Sequence, residues 1–409
     1  MNLSWKKIAV GGGILILILI LILIFLLRGS GGPSTSSSNG SFGSNPGTTG
    51  VSVGQSGGGA SSLPSSSSGI SPTQKVFEIA VGPVVGAELT EAGEPTTTVA
   101  RYITSQDGHI LQLELNTPGA VPQILSNTTI PGIEEAYWSD GGSGVIVQYL
   151  DQGTMKSAHL LLPGAASTSP TSINFLPDNI LALAVSPNGS SVVYLLRSAT
   201  GASGYLSQTN GSNIKELFSL PLSQLILSWP SPGTILAYSK AAAGVAGIAF
   251  SINAKTGSVA PVLYGLGLTV SGNPDFSYLL YRTDTGSAAT LYTESTISGG
   301  SSLFPTLSTL ETPFPEECVW GSSNNVYCAA PAEATPYDYL DLWHRSEASV
   351  PDSLVLLNIA SSTEALVATP GTSDGGETAD MTKFSLSPDG QYLSFISKDD
   401  EALWGVRLQ

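Results

Sequence analysis

The sequence is poor in the residues that carry most enzyme chemistry. Its 409 residues include two cysteines, three histidines and three methionines, and charged residues make up only 11%. With histidines only at 109, 159 and 344, each far from the others, no His/Cys spacing for zinc exists. No Asp-x-Asp-x-Asp-Gly loop is present for an EF-hand. Asp338, Asp341 and nearby Glu333 are oxygen ligands of the type calcium takes, but they read more simply as a solvated acidic loop. No metal and no cofactor is expected. Basic residues are scarce too: 12 Lys and Arg against 31 Asp and Glu follow Gln74, a net charge of −19. Such a surface repels phosphate backbones, so nucleic acid is excluded as a partner.

Charge is missing altogether from two stretches. Ile8 to Leu27 is an uncharged run of 20 residues, nearly pure Ile and Leu from Ile14 onward. At about 1.5 Å per residue it spans a hydrocarbon core of about 30 Å, and a transmembrane helix over 8–27 is expected. No small-x-small cleavage site follows it, which argues against a signal peptide. Lys6, Lys7 and the amino terminus outweigh Arg28, placing residues 1–7 in the cytoplasm and the rest outside. Gly29 to Gln74 is built mainly of Ser, Gly, Thr and Pro with no charge, so it cannot bury enough apolar surface to fold. It reads as a disordered stalk over 29–74, with an r.m.s. span on the order of 35–40 Å.

What is abundant is turn chemistry between apolar runs. Ser387-Pro388-Asp389-Gly390 precedes Tyr392-Leu393-Ser394-Phe395-Ile396. Proline presets φ at the second turn position and glycine takes positive φ without steric cost. Weaker copies are Ser186-Pro187-Asn188-Gly189, Ser231-Pro232-Gly233 and Asn273-Pro274-Asp275, each before an apolar strand. The second strand of each hairpin ends on an aromatic: Tyr102, Tyr149, Tyr194, Tyr238, Tyr281, Tyr327 and Phe395. A spacing in the mid-forties with strand-rich content marks four-stranded propeller blades. Seven aromatics give an all-β, seven-bladed β-propeller over 75–409; irregular first and sixth units leave six or eight blades open. Val76 to Ala80 is a strand without a hairpin partner, and the last unit supplies only three strands, so residues 76–80 are expected to complete the last blade as its outer strand.

The S-P-D-G turn followed by an aromatic-bearing strand resembles the TolB-type and prolyl-oligopeptidase-type propellers, relatives of the WD-repeat fold. The resemblance covers roughly 75–409 and implies a fold; propellers host many unrelated activities. In prolyl-oligopeptidase-type enzymes a catalytic domain follows the propeller, and no such segment follows here, so a peptidase is not expected. Gly371-Thr372-Ser373-Asp374-Gly375 matches G-x-S-x-G, but loop residues flank it where a nucleophile elbow needs a strand and a helix.

Cys318 and Cys328 flank a short hairpin. A three-residue turn at 322–324 sets them directly opposite each other, within disulfide reach, and an external compartment permits oxidation; the alternative is a pair of free core thiols. The sixth unit also carries about 23 extra residues, centred on 331–345. Long loops in compact domains are usually functional or disordered, and Tyr337, Asp338, Tyr339, Asp341, Trp343 and Arg345 include the residue types that dominate binding hot spots. These six are the candidate binding residues. The plainer reading is an ornament packed on the rim. The insertion and the 370–380 connection, with Asp374, Glu377 and Asp380, are expected to meet on one face as an acidic rim.

The functional expectation is a protein-binding or scaffold module at the cell envelope, anchored in the bilayer through 8–27 and holding its propeller outside the cytoplasm. One alternative is a hydrolase or lyase with its site in the central funnel, for which the sequence shows no clustering of carboxylates or histidines on inner strands. The other is a structural subunit of an envelope complex.

Overall fold

The computed structural model describes residues 74–93, 96–163, 171–304 and 310–408. The expected tail, membrane span and most of the stalk lie outside the described residues. Among those described, no helix is long and apolar enough to cross a membrane.

Twenty-eight strands form seven four-stranded antiparallel sheets, the blades of a propeller. Blades 1 to 5 span residues 84–126, 133–175, 182–220, 225–266 and 269–303, and blade 6 spans 318–368. Blade 7 takes its three inner strands from residues 381–407 and its outer strand from Val76–Ala80, so the two ends of the ring are sewn together. All seven period aromatics lie on the second strand of their blade.

The turns explain the hairpins. Ser387 Oγ donates to Asp389 Oδ1 at 2.6 Å and accepts the Tyr392 N–H at 2.9 Å, while Gln391 N–H donates to Asp389 Oδ1 at 3.0 Å. Asn188 takes the aspartate's part in blade 3, accepting from Ser186 Oγ at 2.7 Å. In blade 5 Asn273 Oδ1 accepts the Tyr278 N–H at 3.0 Å, and Phe276 adopts the φ of 56° that Gly390 meets at 68°. Ser231 departs from the pattern: it pairs directly with Thr234 across a two-residue loop. Side chains thus satisfy turn donors the ladder cannot reach.

The core is divided into sectors. Each of seven apolar clusters joins two adjacent blades; one unites Phe77, Ile79 and Leu403 of blade 7 with Leu89, Ala100 and Leu113 of blade 1. An eighth cluster belongs to the blade 6 insertion. Inner strands line the axis, and that of blade 6 is only Cys318–Trp320, preceded by a 3-10 turn over Pro315–Glu317 that touches the inner strands of blades 5 and 7.

Cys318 pairs with Cys328 in register, and the two form a disulfide with Cα atoms 4.2 Å apart. This bond secures the shortest inner strand of the ring. Replacing both cysteines by serine is expected to lower the unfolding free energy by about 3 kcal/mol in the chain-entropy account. Urea unfolding of the double variant checks it; an unchanged midpoint would mean the hairpin is held by packing alone.

Candidate functional site

In each blade the chain returns to the same face after its second and fourth strands. The blade 6 insertion, between Asn325–Pro331 and Asp352–Asn358, therefore shares a face with the connections between blades. Its centre is a short helix, α1 (Tyr339–His344), with Tyr339, Leu340 and Trp343 buried on one side. That spacing puts three apolar groups on one helical face. They pack on Phe314, whose ring lies 5.7 Å from Tyr339 and 5.0 Å from Trp343, while the Arg282 guanidinium covers Phe314 at 4.3 Å. Asp341 Oδ1 accepts the Ala243 N–H at 2.8 Å, tying α1 to blade 4.

The insertion and the 370–380 connection do meet, but as a buried joint. Trp343 Nε1 donates to both carboxylate oxygens of Asp380 at 3.0 and 2.9 Å. Lys398 Nζ lies 3.7 Å from the centre of the Trp343 ring and donates to the Trp343 carbonyl at 2.6 Å. Burial lowers the Lys398 pKa despite neighbouring Asp380 and Glu317. Beneath α1, Glu317, Asp352 and Asp380 border a cavity of about 10 Å³, room for roughly one water. Asp352 accepts the Met381 N–H at 2.7 Å and Glu317 accepts the Lys383 N–H at 3.2 Å. Burial and then the adjacent Glu316 push Glu317 up to about 8; burial and then Asp380 hold Asp352 well above the usual carboxylate range.

The six candidate residues therefore divide. Tyr339 and Trp343, 5% and 8% exposed, are anchors and do not line a rim. Asp341 is a tie, and Asp338 is the N-terminal cap residue of α1, with φ 55°. Only Tyr337, 71% exposed, and Arg345, paired with Glu347 at 2.9 Å, face solvent. Of the expected acidic rim, Asp380 is buried, and Asp374 is turned to the closing strand, its carbonyl accepting the Val76 N–H at 2.8 Å.

The funnel mouth departs further from the sequence reading. A cavity of about 540 Å³ opens between blades 2, 3 and 4, lined by Glu135, Tyr137, Gln148, Ile226, Lys240 and His344. Lys383 Nζ bridges Glu135 at 3.2 Å and the Val85 carbonyl at 3.0 Å. His344 faces acceptors on both sides, Leu340 O at 2.8 Å and Glu316 Oε1 at 2.6 Å, an arrangement that favours the cationic ring, in which both nitrogens donate. Burial is the largest single influence and opposes that charge, but the Glu316 hydrogen bond, the Glu316 charge and the Leu340 carbonyl together outweigh it, and the His344 pKa is raised. Carboxylates and a histidine do converge here, which the sequence reading missed. The available signal was a repeat: Ile133-Glu134-Glu135-Ala136-Tyr137-Trp138 and Pro315-Glu316-Glu317-Cys318-Val319-Trp320 open two inner strands alike.

None of these groups forms a nucleophilic relay. Ser139 and Asp140 share a single nitrogen of His159, Nε2, at 3.1 and 3.0 Å, whereas a Ser-His-Asp relay uses both ring nitrogens. The G-x-S-x-G segment is a tight loop closed by the Gly371 N–H on Gly375 O at 3.1 Å, with no helix after it. Among the described residues, no group of three or more His, Cys, Asp or Glu side chains is placed to hold a metal ion.

No protein-family model matches the chain, and no curated protein matches it. Solved structures do. A chain of the mitotic checkpoint complex superposes with TM-score 0.51 at 13% identity, covering 86% of this chain and 99% of that one. Oligogalacturonate lyase from Vibrio parahaemolyticus gives 0.51 at 11% identity, over 83% and 94%. TolB from Acinetobacter baumannii gives 0.37 at 11% identity, over 78% and 65%. At these identities the likeness is one of architecture, and the chain is by fold a seven-bladed β-propeller.

Proposed function

We propose that this protein is a membrane-anchored, extracytoplasmic recognition module that docks a protein partner on its funnel face. The anchor rests on the uncharged run at 8–27, and the outward orientation on Lys6 and Lys7. The carrying observation is the seating of the insertion. α1 is fixed by Trp343–Asp380, Asp341–Ala243 and His344–Glu316, yet it leaves the adjacent Tyr337 71% exposed. A rigidly held loop with an exposed tyrosine loses little entropy on binding. The net charge of −19 favours a partner with basic residues, since complementary charge speeds encounter.

A second reading is a hydrolase or lyase in the funnel, favoured by the convergence of Glu135, Glu316, Lys383 and His344. It is the weaker one, because each of these groups is already engaged: Glu135 with Lys383, and His344 with Glu316.

The test is photo-crosslinking of the full-length protein in its own membrane. A benzophenone amino acid at Arg345 should yield a discrete protein adduct. The same probe at Lys255, on the opposite face, should not. Equal adducts from both positions, or none from Arg345, would overturn the proposal.

A further inference from the structure

Beside the exposed tyrosine lies a second opening, distinct from the funnel. It is a cleft of about 320 Å³ bordered by Arg282, Asp284, Ser287, Glu311, Thr312 and Tyr337. That volume is at the small end of ligand sites, about 300–1,000 Å³, but such sites are usually mostly apolar and this one is polar. Its chemistry is uneven in an informative way. The Arg282 side chain is 4% exposed and gives one nitrogen to Asp284 at 2.9 Å; its Nε and Nη1 have no partner. Buried donors left unpaired are costly, so an occupant that supplies an acceptor oxygen is favoured. Asp284 is fully engaged, accepting from Arg282 and from the Gly286 N–H at 2.6 Å. Glu311 is exposed; its backbone N–H is tied to the Pro331 carbonyl at 3.1 Å, and its carboxylate, which lies in the field of Arg282, is the open acceptor.

The geometry points to a binding site for a neutral sugar ring, and this rests on the funnel face being the recognition face. A pyranose carries adjacent hydroxyls, each both donor and acceptor. One oxygen can accept from Arg282 while a neighbouring hydroxyl donates to Glu311, with the Ser287 and Thr312 hydroxyls beside them. The flat Tyr337 ring offers a surface for the sugar's C–H face, leaving its own hydroxyl in water. An anionic sugar fits worse, because Asp284 already pairs with Arg282, Glu311 adds a second negative charge beside the same guanidinium, and the domain is strongly acidic. The ring could come from a glycan on the docked protein or from a free envelope polysaccharide; the chemistry read is the same.

Full-length protein in detergent would be screened on an array of neutral and acidic oligosaccharides, and hits titrated by isothermal calorimetry. Binding of neutral members is expected, weakened at least tenfold by Tyr337→Ala and by Glu311→Ala, with unchanged thermal melting. No neutral binder, or neutral binding unaffected by both substitutions, overturns the site. Affinity confined to peptides bearing Asn or Gln would also overturn it, assigning the cleft to carboxamides. Deglycosylating the crosslinked partner separates the two sources: lost capture assigns the sugar to the partner, and retained capture with array binding assigns it to a free polysaccharide. Failure of the Arg345 crosslink with array binding intact would remove the protein-docking reading and leave the sugar site standing.

Discussion

Deletion of residues 75–80 is expected to abolish cooperative folding of the propeller. These residues look peripheral in sequence, at the junction with the stalk, but they form the outer strand of blade 7 and pair with Leu403–Arg407. Val76, Phe77 and Ile79 are 0%, 2% and 1% exposed, and Phe77 packs edge-on to Tyr392 at 6.3 Å beneath the Arg407 guanidinium at 4.5 Å. Three such side chains contribute about 1.5–3 kcal/mol each, a sum on the order of 6 kcal/mol, against a typical domain stability of about 5–15 kcal/mol. The loss would not stay local. Gly376 packs so closely on Val76 that a Cβ there would lie 2.6 Å from Val76 Cγ1, so the connection from blade 6 to blade 7 rests on the same strand. Without it the ring keeps an unpaired edge at Leu403–Arg407, open to association with another chain. Urea unfolding followed by circular dichroism decides the matter. A sharp transition with the full protein's urea midpoint and slope would mean the three-stranded blade closes the ring unaided.

That closure was legible in the sequence because it follows from counting strands. So were the blades, since turn chemistry and second-strand aromatics are local signals that survive in one dimension. The disulfide was legible for the same reason: a short hairpin has few registers, and the observed pairs Cys318–Cys328, Val319–Tyr327 and Trp320–Val326 follow from the turn. The site was much less so. Whether Tyr339 and Trp343 are surface or core depends on Phe314, which lies before the blade's first strand and meets them only through the fold. Helical spacing of Tyr339, Leu340 and Trp343 was a sign that one face would be covered. The funnel charges were hidden more deeply: Glu135, Glu316 and Lys383 come from three different blades, and convergence on an axis leaves no local pattern beyond the paired Glu-Glu openings.

The protein is expected to be more stable in mildly acidic than in alkaline solution, and Glu317 is the residue that shows why. Burial, and next the like charge of Glu316, push its pKa from the ordinary 4.5 to about 8; burial likewise lifts Glu88 to about 7 against the opposing Arg101, and raises Asp352 and Asp380. A carboxyl whose folded pKa is raised binds a proton more tightly in the folded state. Its contribution is complete below the unfolded value and is lost as pH rises through the folded one. His344, raised by Glu316, acts in the same direction above its unfolded value of 6.5. Lys398, lowered by burial, acts oppositely, but only between its depressed value and 10.5. Asp275, held at about 2 by hydrogen bonds from Ser277 and Ser323, contributes stability that is lost only in strong acid. Between about pH 5.5 and pH 8.5 the net slope is therefore downward, and Glu317 alone accounts for on the order of 3 kcal/mol at about 1.4 kcal/mol per pH unit. Glu317→Gln keeps a hydrogen-bond acceptor for the Lys383 N–H and removes the titration. The variant should match the parent at the lower pH and exceed it at the higher, flattening the profile; urea midpoints at the two pH values measure this. A variant less stable than the parent at pH 8.5 would mean that Glu317 is ionised in the folded protein and stabilised by Lys383 and Lys398.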